Sequence, residues 1–233
     1  RNIVLIFVAI GAITWLDMAR IVRGQTLSLK GREFVEAAQA MGVSTRNIIA
    51  RLPGSTHPDE TILYTGHWDH IGVGDPDAEG DRIFNGAVDN ATGSAALLEI
   101  AEAMASEELE RSALFLSVTL EESGLLGSAY YAENPLVPHR QVVAGINMDG
   151  ALPIGRTKDM VVVGYGASEL EDMLKDVLDE QGRVIKPDAK PEAGYFYRSD
   201  HVSLARMGVP MLYADGGSVH VTEGREFVAQ IEA

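Results

Sequence analysis

The stretch "SALFLSVTLEESGLLGS", residues 112 to 128, decides the fold class of this chain. Its first half is a short apolar run that is typical of a buried strand. Glu121 and Glu122 follow that run at once, where a structural role gives no reason for charge. A buried strand that ends in paired carboxylates predicts a polar site at the carboxyl end of a sheet strand.

The same arrangement recurs along the chain, with candidate ligands where apolar runs end. His67, Asp69 and His70 follow the run "TILYTG", and Asp149 follows "VVAGINM". Asp89 stands at a loop-to-helix junction. Because binding sites form at the carboxyl ends of strands in α/β sheets, we expect these residues to converge although they are far apart in sequence.

From Pro53 onward, strands and helices alternate, which predicts an α/β domain. One helix begins at Asn90 or Thr92, either of which can cap it, and carries an apolar face. A second helix, "SELEDMLKDVLDEQG", is expected to end at Gly182, and "VPMLYADGG" is a final strand.

Composition narrows the function classes. The chain has 233 residues, of which 46% are hydrophobic, so a disordered chain is excluded. The net charge of -15 argues against a nucleic-acid partner, because phosphate binding draws on clustered Lys and Arg. There is no Cys, so any metal must be held by His and carboxylate side chains.

Charge and hydropathy set the first 52 residues apart from the rest. They carry a net charge of +4, against -19 for the remainder, which indicates two joined environments. The apolar run from Ile3 to Leu16 is too short to cross a bilayer, so it is interpreted as the tail of a transmembrane helix. The basic residues that follow predict a cytoplasmic side after the span: Arg20, Arg23, Lys30 and Arg32.

The segment "WLDMARIVRGQTLSLKGREFV" and the following Glu36, Ala37, Ala38 and Gly42 carry a first resemblance. They resemble the cytoplasmic coupling loop of ABC transporter permeases of the dipeptide and oligopeptide type. That resemblance covers about the first 50 residues and implies an inner-membrane segment that docks on a transporter ATPase subunit.

Five motifs carry a second resemblance, from about residue 47 onward: "GHWDHIG", "GAVDNATGSAALLEIA", "EESGLLGS", "INMDG" and "RSDHVSLARMGVP". In this order and approximate spacing they resemble the co-catalytic zinc aminopeptidase family, which includes bacterial leucyl aminopeptidase, aminopeptidase Y and glutamate carboxypeptidase. The resemblance implies a mixed, mainly parallel central sheet flanked by helices. It also implies two zinc ions and a peptide substrate.

Carried over residue by residue, the resemblance implies the metal ligands. His67 and Asp149 would hold one zinc, Glu122 would hold the other, and Asp89 would bridge both. The family needs a fifth ligand, a His beyond the last strand, and His220 is the candidate in this chain. The alternative is that this ligand lies beyond Ala233, which would leave one zinc weakly held and the chain inactive.

The same resemblance implies the remaining roles. Glu121 would be the general base and Asp69 would hydrogen-bond His67, while Asp200 and His201 would line the substrate pocket. Two further histidines, His70 and His139, are interpreted as a loop His and a surface His.

The stretch "NIIARLPGST", residues 47 to 56, is acceptable to both families. We therefore expect a chimaera truncated at both ends, with a permease segment at residues 1–50 and a zinc metallopeptidase domain at residues 51–233. The two parts point to different compartments, because the permease loop is cytoplasmic whereas peptidases of this kind are commonly periplasmic or extracellular.

The function expected first is a zinc-dependent exopeptidase of the aminopeptidase type, with Glu121 as the general base acting on metal-activated water. Two alternatives stay open. One is a permease fragment with a passenger domain, which would be supported if the protein had to be extracted from membranes. The other is a glutaminyl-cyclase-like acyltransferase, which would be supported by a content of one zinc ion per chain.

Overall fold

The computed structural model describes residues 47–151 and 154–231. The predicted transmembrane helix and coupling loop lie outside these described residues. Within the described part of the chain, every helix is too short or too polar to cross a membrane.

A seven-stranded sheet forms the centre of the described structure, with strand order β1-β5-β2-β6-β9-β7-β8. A separate two-stranded hairpin, β3 with β4, follows the second strand. The nine strands are β1 Ile48–Leu52, β2 His57–His67, β3 Gly72–Val73, β4 Ile83–Phe84, β5 Arg111–Val118, β6 Val142–Asn147, β7 Asp159–Val162, β8 Val184–Pro187 and β9 Met211–Asp215.

The central strands β5, β2, β6 and β9 are parallel to one another. Strand β1 is antiparallel to β5, and β7 is antiparallel to β9. This arrangement confirms the predicted mixed, mainly parallel sheet. The stretch "NIIARLPGST" contributes β1, all five residues of which pair with β5. The predicted division between residues 50 and 51 falls inside this strand, and the position of the join stays a prediction.

Five α-helices flank the sheet in the described part of the chain: α1 Ala91–Ala105, α2 Leu126–Glu133, α3 Leu170–Glu180, α4 His201–Ala205 and α5 Gly224–Ile231. Helix α1 packs on β2 and β5, and α4 packs on β6 and β9. The side chain of Asn90 caps α1, as one of the two predicted caps, by accepting from the backbone N–H of Gly93. Beyond α3, Gly182 has a φ of 67°, a conformation that favours glycine.

The core lies on both faces of the central strands, which explains their continuous apolar runs. On one face, Tyr64 and Phe115 stack with ring centroids 5.3 Å apart, and Leu97 of α1 packs against them. The neighbouring residues Leu63 and Leu114, which point to the other face, are also fully buried.

The order of the strands creates a crevice at one edge of the sheet. Strand β2 lies between β5 and β6 in the sheet. The chain passes from β2 to β5 on one side of β2 and then from β5 to β6 on its other side, so the strand order reverses at β2. In open α/β sheets, ligands bind at such a reversal, outside the carboxyl ends of the strands. The ends of β2, β5 and β6 therefore meet where the acidic residues and His67 were expected to converge.

Candidate metal centre

His67 is the last residue of β2 and is 1% exposed. Its Nδ1 lies 3.0 Å from the backbone carbonyl of Asp69, which can only accept, so Nδ1 donates there. The other nitrogen, Nε2, lies 3.0 Å from Asp89 Oδ1 and 3.1 Å from Asp149 Oδ1. A ring nitrogen held between two carboxylates needs a positive charge at that point, which either a proton or a metal ion supplies.

The pKa of His67 reflects this demand. Burial lowers it, but hydrogen bonds with Asp149 and Asp89 outweigh burial and raise the pKa to about 11. A metal ion that takes the place of this proton meets the same two carboxylates.

Asp149 follows β6 and is oriented by a short relay. Its Oδ2 accepts a 2.5 Å hydrogen bond from the hydroxyl of Ser199, and that hydroxyl accepts from the Asn147 side chain at 2.7 Å. The sequence interpretation missed Ser199. Its position directly before Asp200, inside the motif "RSDHVSLARMGVP", was the available signal.

Asn90 ties three parts of the site together and is 2% exposed. Its Nδ2 donates to the backbone carbonyls of His67 and Met148, and its Oδ1 accepts from the backbone of Gly93 and Gly150. The cap of α1 thereby fixes the end of β2 and the loop that carries Asp149.

A tight turn after β5 presents Glu121 and Glu122. Two residues that flank the pair, Leu120 and Leu125, have left-handed φ values of 57° and 62°, which non-glycine residues seldom adopt. The buried side chain of Asn47 holds this turn, because it accepts from the N–H of Thr119 and donates to the carbonyl of Gly127. The first described residue of the chain thus positions the acidic pair.

His67, Glu121 and Asp149 form the first group, in which one ligand atom from each residue lies within 4.8 Å of the others. Burial raises the pKa of Glu121 to about 8, with further raising by Asp149, Asp200 and Glu122 against lowering by His67. A carboxyl group with this pKa can exchange a proton near neutral pH.

His70, Asp89 and Glu122 form the second group, by the same 4.8 Å criterion. His70 Nδ1 lies 2.6 Å from Glu122 Oε1. Asp89 also reaches His67 of the first group, so its carboxylate lies between the two groups; its pKa is lowered chiefly by the hydrogen bond with His67. The interpretation of His70 as an ordinary loop residue did not anticipate this contact.

Asp69 lies beside His67, but it contacts His67 through its backbone and not through its carboxylate. The hydrogen bond to His67 comes from the backbone carbonyl, whereas the nearer carboxylate oxygen is 3.7 Å from Nδ1. That carboxylate instead accepts from the backbone N–H of Glu121 at 3.2 Å. Asp69 therefore links the loop after β2 to the acidic turn after β5.

Asp200 and His201, the predicted pocket residues, are 1% and 0% exposed. Burial raises the pKa of Asp200 to about 7 and lowers the pKa of His201 to about 4. The His201 ring packs between Phe196 and Tyr213, with centroids 4.7 Å and 5.0 Å away. That Asp200 and His201 contact a substrate stays a prediction.

Among the residues that the structure describes, neither of the two groups includes His220. Its Nδ1 accepts hydrogen bonds from the backbone of Thr222 and Glu223 and lies 3.1 Å from the Thr222 hydroxyl. The ring packs on Phe227 at 5.1 Å between centroids. The structure thus brings the other four predicted ligands together and leaves this one in the turn before α5.

The donor sets of both groups fit zinc. Imidazole nitrogen and carboxylate oxygen are zinc ligands, and the hydrogen bond from His67 Nδ1 to a backbone carbonyl is the kind of support that orients a metal-binding His. In addition, Asp89 Oδ1 and Asp149 Oδ1 both lie within 3.1 Å of His67 Nε2, so a cation at this point would meet both carboxylates.

Two parts of the chain are similar in sequence to known proteins. The sequence model of peptidase family M28 matches residues 47–227. The chain is 36% identical over 107 residues to a probable zinc metalloprotease of Pyrenophora tritici-repentis, which covers 46% of this chain and 24% of that protein. It is 72% identical over 51 N-terminal residues to the oligopeptide transport system permease protein OppC of Salmonella typhimurium. That match covers 22% of this chain and 17% of the permease.

Solved structures share the fold. They include the zinc aminopeptidase BSAP of Bacillus subtilis, with a TM-score of 0.57 and 21% identity over 73% of this chain and 40% of that chain. A Zn-dependent exopeptidase of Parabacteroides distasonis has a TM-score of 0.58 and 20% identity over 76% of this chain and 66% of that chain. A glutaminyl cyclase of Porphyromonas gingivalis has a TM-score of 0.55 and 24% identity over 76% and 65%. The chain spans less than a third of the curated relatives named above.

Proposed function

The chain belongs to peptidase family M28, and on that premise we propose that it is a zinc-dependent exopeptidase of the aminopeptidase type. The observation that carries the proposal is the convergence of two groups of His and carboxylate ligands at the carboxyl ends of β2, β5 and β6. The position of Asp89 between the groups supports a site for two ions.

We assign the ligands from this placement. His67 and Asp149 would hold one zinc ion, Glu122 would hold the other, and Asp89 would bridge them. Bound zinc supplies Lewis acidity, which polarises a scissile carbonyl and lowers the pKa of water.

Glu121 is the general base in this proposal. Its carboxyl lies in the first group and is adjacent in sequence to Glu122, so it is placed to take a proton from water and return it to the leaving amine. Burial raises its pKa to about 8 in the metal-free chain. Glu122 lies in the second group beside Asp89, which leaves the two adjacent carboxylates with separate roles.

Two further contacts hold the base and a ligand in place. The Asp69 carboxylate accepts from the backbone of Glu121, which fixes the turn, and the Ser199 hydroxyl fixes the rotamer of Asp149. The surrounding acidic side chains favour a substrate with a free α-amino group, which is why we choose an aminopeptidase over a carboxypeptidase.

We further propose that the first 50 residues derive from an oligopeptide permease and form an inner-membrane segment, while the peptidase part works in the periplasm or outside the cell. The similarity to OppC supports the permease origin. A transporter ATPase subunit would be a partner only of that segment. A sequencing read across residues 40 to 60 of the source DNA tests the join, and an interruption there would point to an assembly error.

The test of the enzymatic proposal is hydrolysis of aminoacyl p-nitroanilides by the zinc-loaded chain. Removal of a general base lowers kcat by about 10²- to 10⁴-fold, so we expect Glu121→Gln to lose activity on that scale with its zinc content unchanged. Glu133→Gln, at an exposed position at the end of α2, is the matched control. Full activity of the Glu121 variant would refute the role of this residue.

A second candidate is acyl transfer of the glutaminyl-cyclase kind, favoured by the structural likeness to the Porphyromonas gingivalis enzyme. It predicts one zinc ion per chain and turnover of peptides with an N-terminal glutamine. Two zinc ions together with release of p-nitroaniline from aminoacyl substrates would exclude it in favour of the peptidase.

A further inference from the structure

The hairpin of residues 72–84, in which β3 pairs with β4, carries large apolar side chains into solvent. Val73 and Ile83 lie opposite each other in the pairing and therefore share one face, and they are 70% and 62% exposed. At the base of the hairpin, Ile71 and Phe84 are 53% and 43% exposed. Exposed apolar side chains that adjoin one another mark binding surfaces.

Both ends of this hairpin lie at the metal centre. Its first strand begins two residues after His70, whose Nδ1 lies 2.6 Å from Glu122 Oε1. Its second strand ends five residues before Asp89, and Phe84 on that strand packs against the His70 ring with centroids 6.5 Å apart. The hairpin therefore begins at the edge of the metal centre and extends away from it.

Backbone pairing continues beyond the two short strands. The N–H of Gly74 donates to the carbonyl of Arg82 at 2.9 Å, and the N–H of Asp77 donates to the carbonyl of Asp81 at 2.8 Å. At about 3.4 Å per residue, the chain from Gly72 to Asp77 spans about 17 Å. An extended peptide that leaves the metal centre can therefore follow the hairpin for about five residues.

The outer half of the hairpin is acidic. Its one basic residue, Arg82, donates from its guanidinium to the backbone carbonyl of Gly74 at 2.9 Å. Within the part of the chain that the structure describes, no ion pair includes any of the four acidic side chains, so a cationic partner would meet unneutralised carboxylates. The four acidic residues are Asp75, Asp77, Glu79 and Asp81.

Charge and size decide which partner fits this surface. A second copy of the chain fits poorly, because its net charge of -15 would bring like charges together. Four apolar side chains also fall short of the roughly 800 Å² that each partner buries in a stable protein interface. A peptide segment with apolar residues followed by basic residues complements both the apolar face and the acidic outer half.

We propose that the hairpin is a docking surface for the part of a peptide substrate that follows the scissile bond. Apolar residues of the peptide pack on Val73 and Ile83, and basic residues pair with Asp75 and Glu79. The inference rests on the proposed exopeptidase function and deepens it by naming the substrate class. That class is oligopeptides that carry basic residues about four to six positions from the N-terminus, the reach of an extended chain along the hairpin.

The test is turnover of two hexapeptides by the zinc-loaded full-length chain. Both have leucine first and valine third, and one ends in two lysines whereas the other ends in two glutamates. Each exposed ion pair contributes about two- to fivefold, so we expect kcat/KM to be about tenfold higher for the lysine peptide. Salt screens exposed charges, so this preference should shrink at high ionic strength. Equal kcat/KM for the two peptides would overturn the proposal.

Two double variants separate the charged from the apolar contacts. Asp75→Asn with Glu79→Gln should abolish the preference for lysine. Val73→Ser with Ile83→Ser should lower kcat/KM for both peptides by about tenfold, because less apolar surface is buried. Neither variant should change turnover of leucine p-nitroanilide, which has no peptide beyond the scissile bond. Peptide turnover that both variants leave at the wild-type level would contradict docking on the hairpin.

Helix α3 offers the matched control variants. Asp176→Asn with Glu180→Gln removes two exposed charges, and Met173→Ser with Val177→Ser removes two apolar side chains that are 60% and 50% exposed. Both should keep wild-type kcat/KM for all three substrates. A loss in these controls equal to that in the hairpin variants would show a general effect of surface changes and would overturn the assignment to the hairpin.

Direct binding separates this inference from the proposed function. Fluorescence anisotropy of a labelled lysine hexapeptide gives its Kd for the zinc-loaded Glu121→Gln chain, with and without each pair of hairpin substitutions. Weaker binding in both hairpin variants supports the docking surface even if the wild type hydrolyses nothing, which would refute the peptidase alone. Unchanged binding overturns the docking surface and leaves the peptidase standing. A dimer in sedimentation that Val73→Ser with Ile83→Ser dissociates would also overturn it, because the occupant would be a second copy.

Discussion

The two candidate metal groups differ in how firmly the protein holds them. In the first group, His67 is fully buried and fixed by the Asp69 carbonyl, and Asp149 is fixed by Ser199. In the second group, His70 and Glu122 are partly exposed and are carried by loops and a strained turn. The first group is preorganised by hydrogen bonds that exist without a metal, whereas the second is held mainly by the contact of His70 Nδ1 with Glu122 Oε1 at 2.6 Å.

This difference predicts sequential metal binding. A preorganised site does not have to order its ligands when an ion binds, whereas a loop-borne site does, which lowers its affinity. We expect the first group to bind zinc tightly and the second to bind it more weakly. The largest effects should come from changes in the first group.

Asp149→Ala should have the largest effect. It removes a ligand of the first ion and leaves His67 Nε2 without one of its two carboxylates. We expect zinc affinity of the first group to fall by more than about 100-fold, beyond the usual loss of a supporting contact, with peptidase activity at background. The measurement is zinc content after dialysis, beside Glu122→Gln as the matched change in the second group. If Glu122→Gln removed the tighter ion, the order of the two groups would be wrong.

The pH dependence of the first ion should come next in size. Zinc must displace the proton that His67 holds up to a pKa of about 11, so affinity should rise by up to about tenfold per pH unit between pH 6 and 9. The first ion should therefore release protons on binding. Calorimetry in buffers of different ionisation enthalpy measures that release, and binding without proton release would contradict the assignment.

The metal-free chain should show the opposite dependence in its stability. The folded-state pKa of His67 is raised above its unfolded value of 6.5, so its stabilisation is complete below pH 6.5 and is lost as pH rises toward 11. Glu121, raised from 4.5 to about 8, acts in the same direction. We expect up to about 5 kcal/mol less free energy of unfolding at pH 9 than at pH 6.5, with about 3 kcal/mol from His67 and about 2 kcal/mol from Glu121. Urea unfolding at both values, with and without zinc, checks this sign.

Ser199→Ala should have a smaller effect, confined to the first group. The variant keeps every ligand but frees the Asp149 carboxylate from its 2.5 Å hydrogen bond. Outer contacts of this kind contribute about 10- to 100-fold to metal affinity or activity. Ser106→Ala, an exposed hydroxyl at the end of α1, is the control. Equal weakening of both ions by Ser199→Ala would mean that the groups are not independent.

Asn47→Ala should have the smallest effect but should reach both groups. Its side chain makes two buried hydrogen bonds to the turn that carries one acidic residue of each group. Loss of such bonds destabilises by about 1–3 kcal/mol, so we expect a lower free energy of unfolding and a few-fold loss of affinity for each ion. A loss limited to one ion would show that the turn does not act as a unit.

Much of the fold and of the first group could be predicted from the sequence. Buried parallel strands read as continuous apolar runs, so β5 and the acidic pair after it were visible, as was the cap at Asn90. Convergence of His67, Asp89 and Asp149 followed from the rule that sites form at the carboxyl ends of strands.

What the sequence could not supply was contact geometry within loops. In "GHWDHIG", His67 and His70 look equally able to bind a metal. Only the packing of His70 beside Gly86 and Phe84 shows where the second ring lies. Ser199 was overlooked because the role of a serine hydroxyl depends on the group it donates to, here Asp149, and the sequence does not show that contact. The expected contribution of His220 depended on a loop whose course cannot be derived from residue types.

The most direct test of the central claim is zinc-edge anomalous diffraction from crystals of the zinc-loaded chain. Two peaks are predicted, one between His67 and Asp149 and one beside Glu122, with the Asp89 carboxylate between them. A single peak, or a second peak away from Asp89 and Glu122, would contradict this account of the two groups.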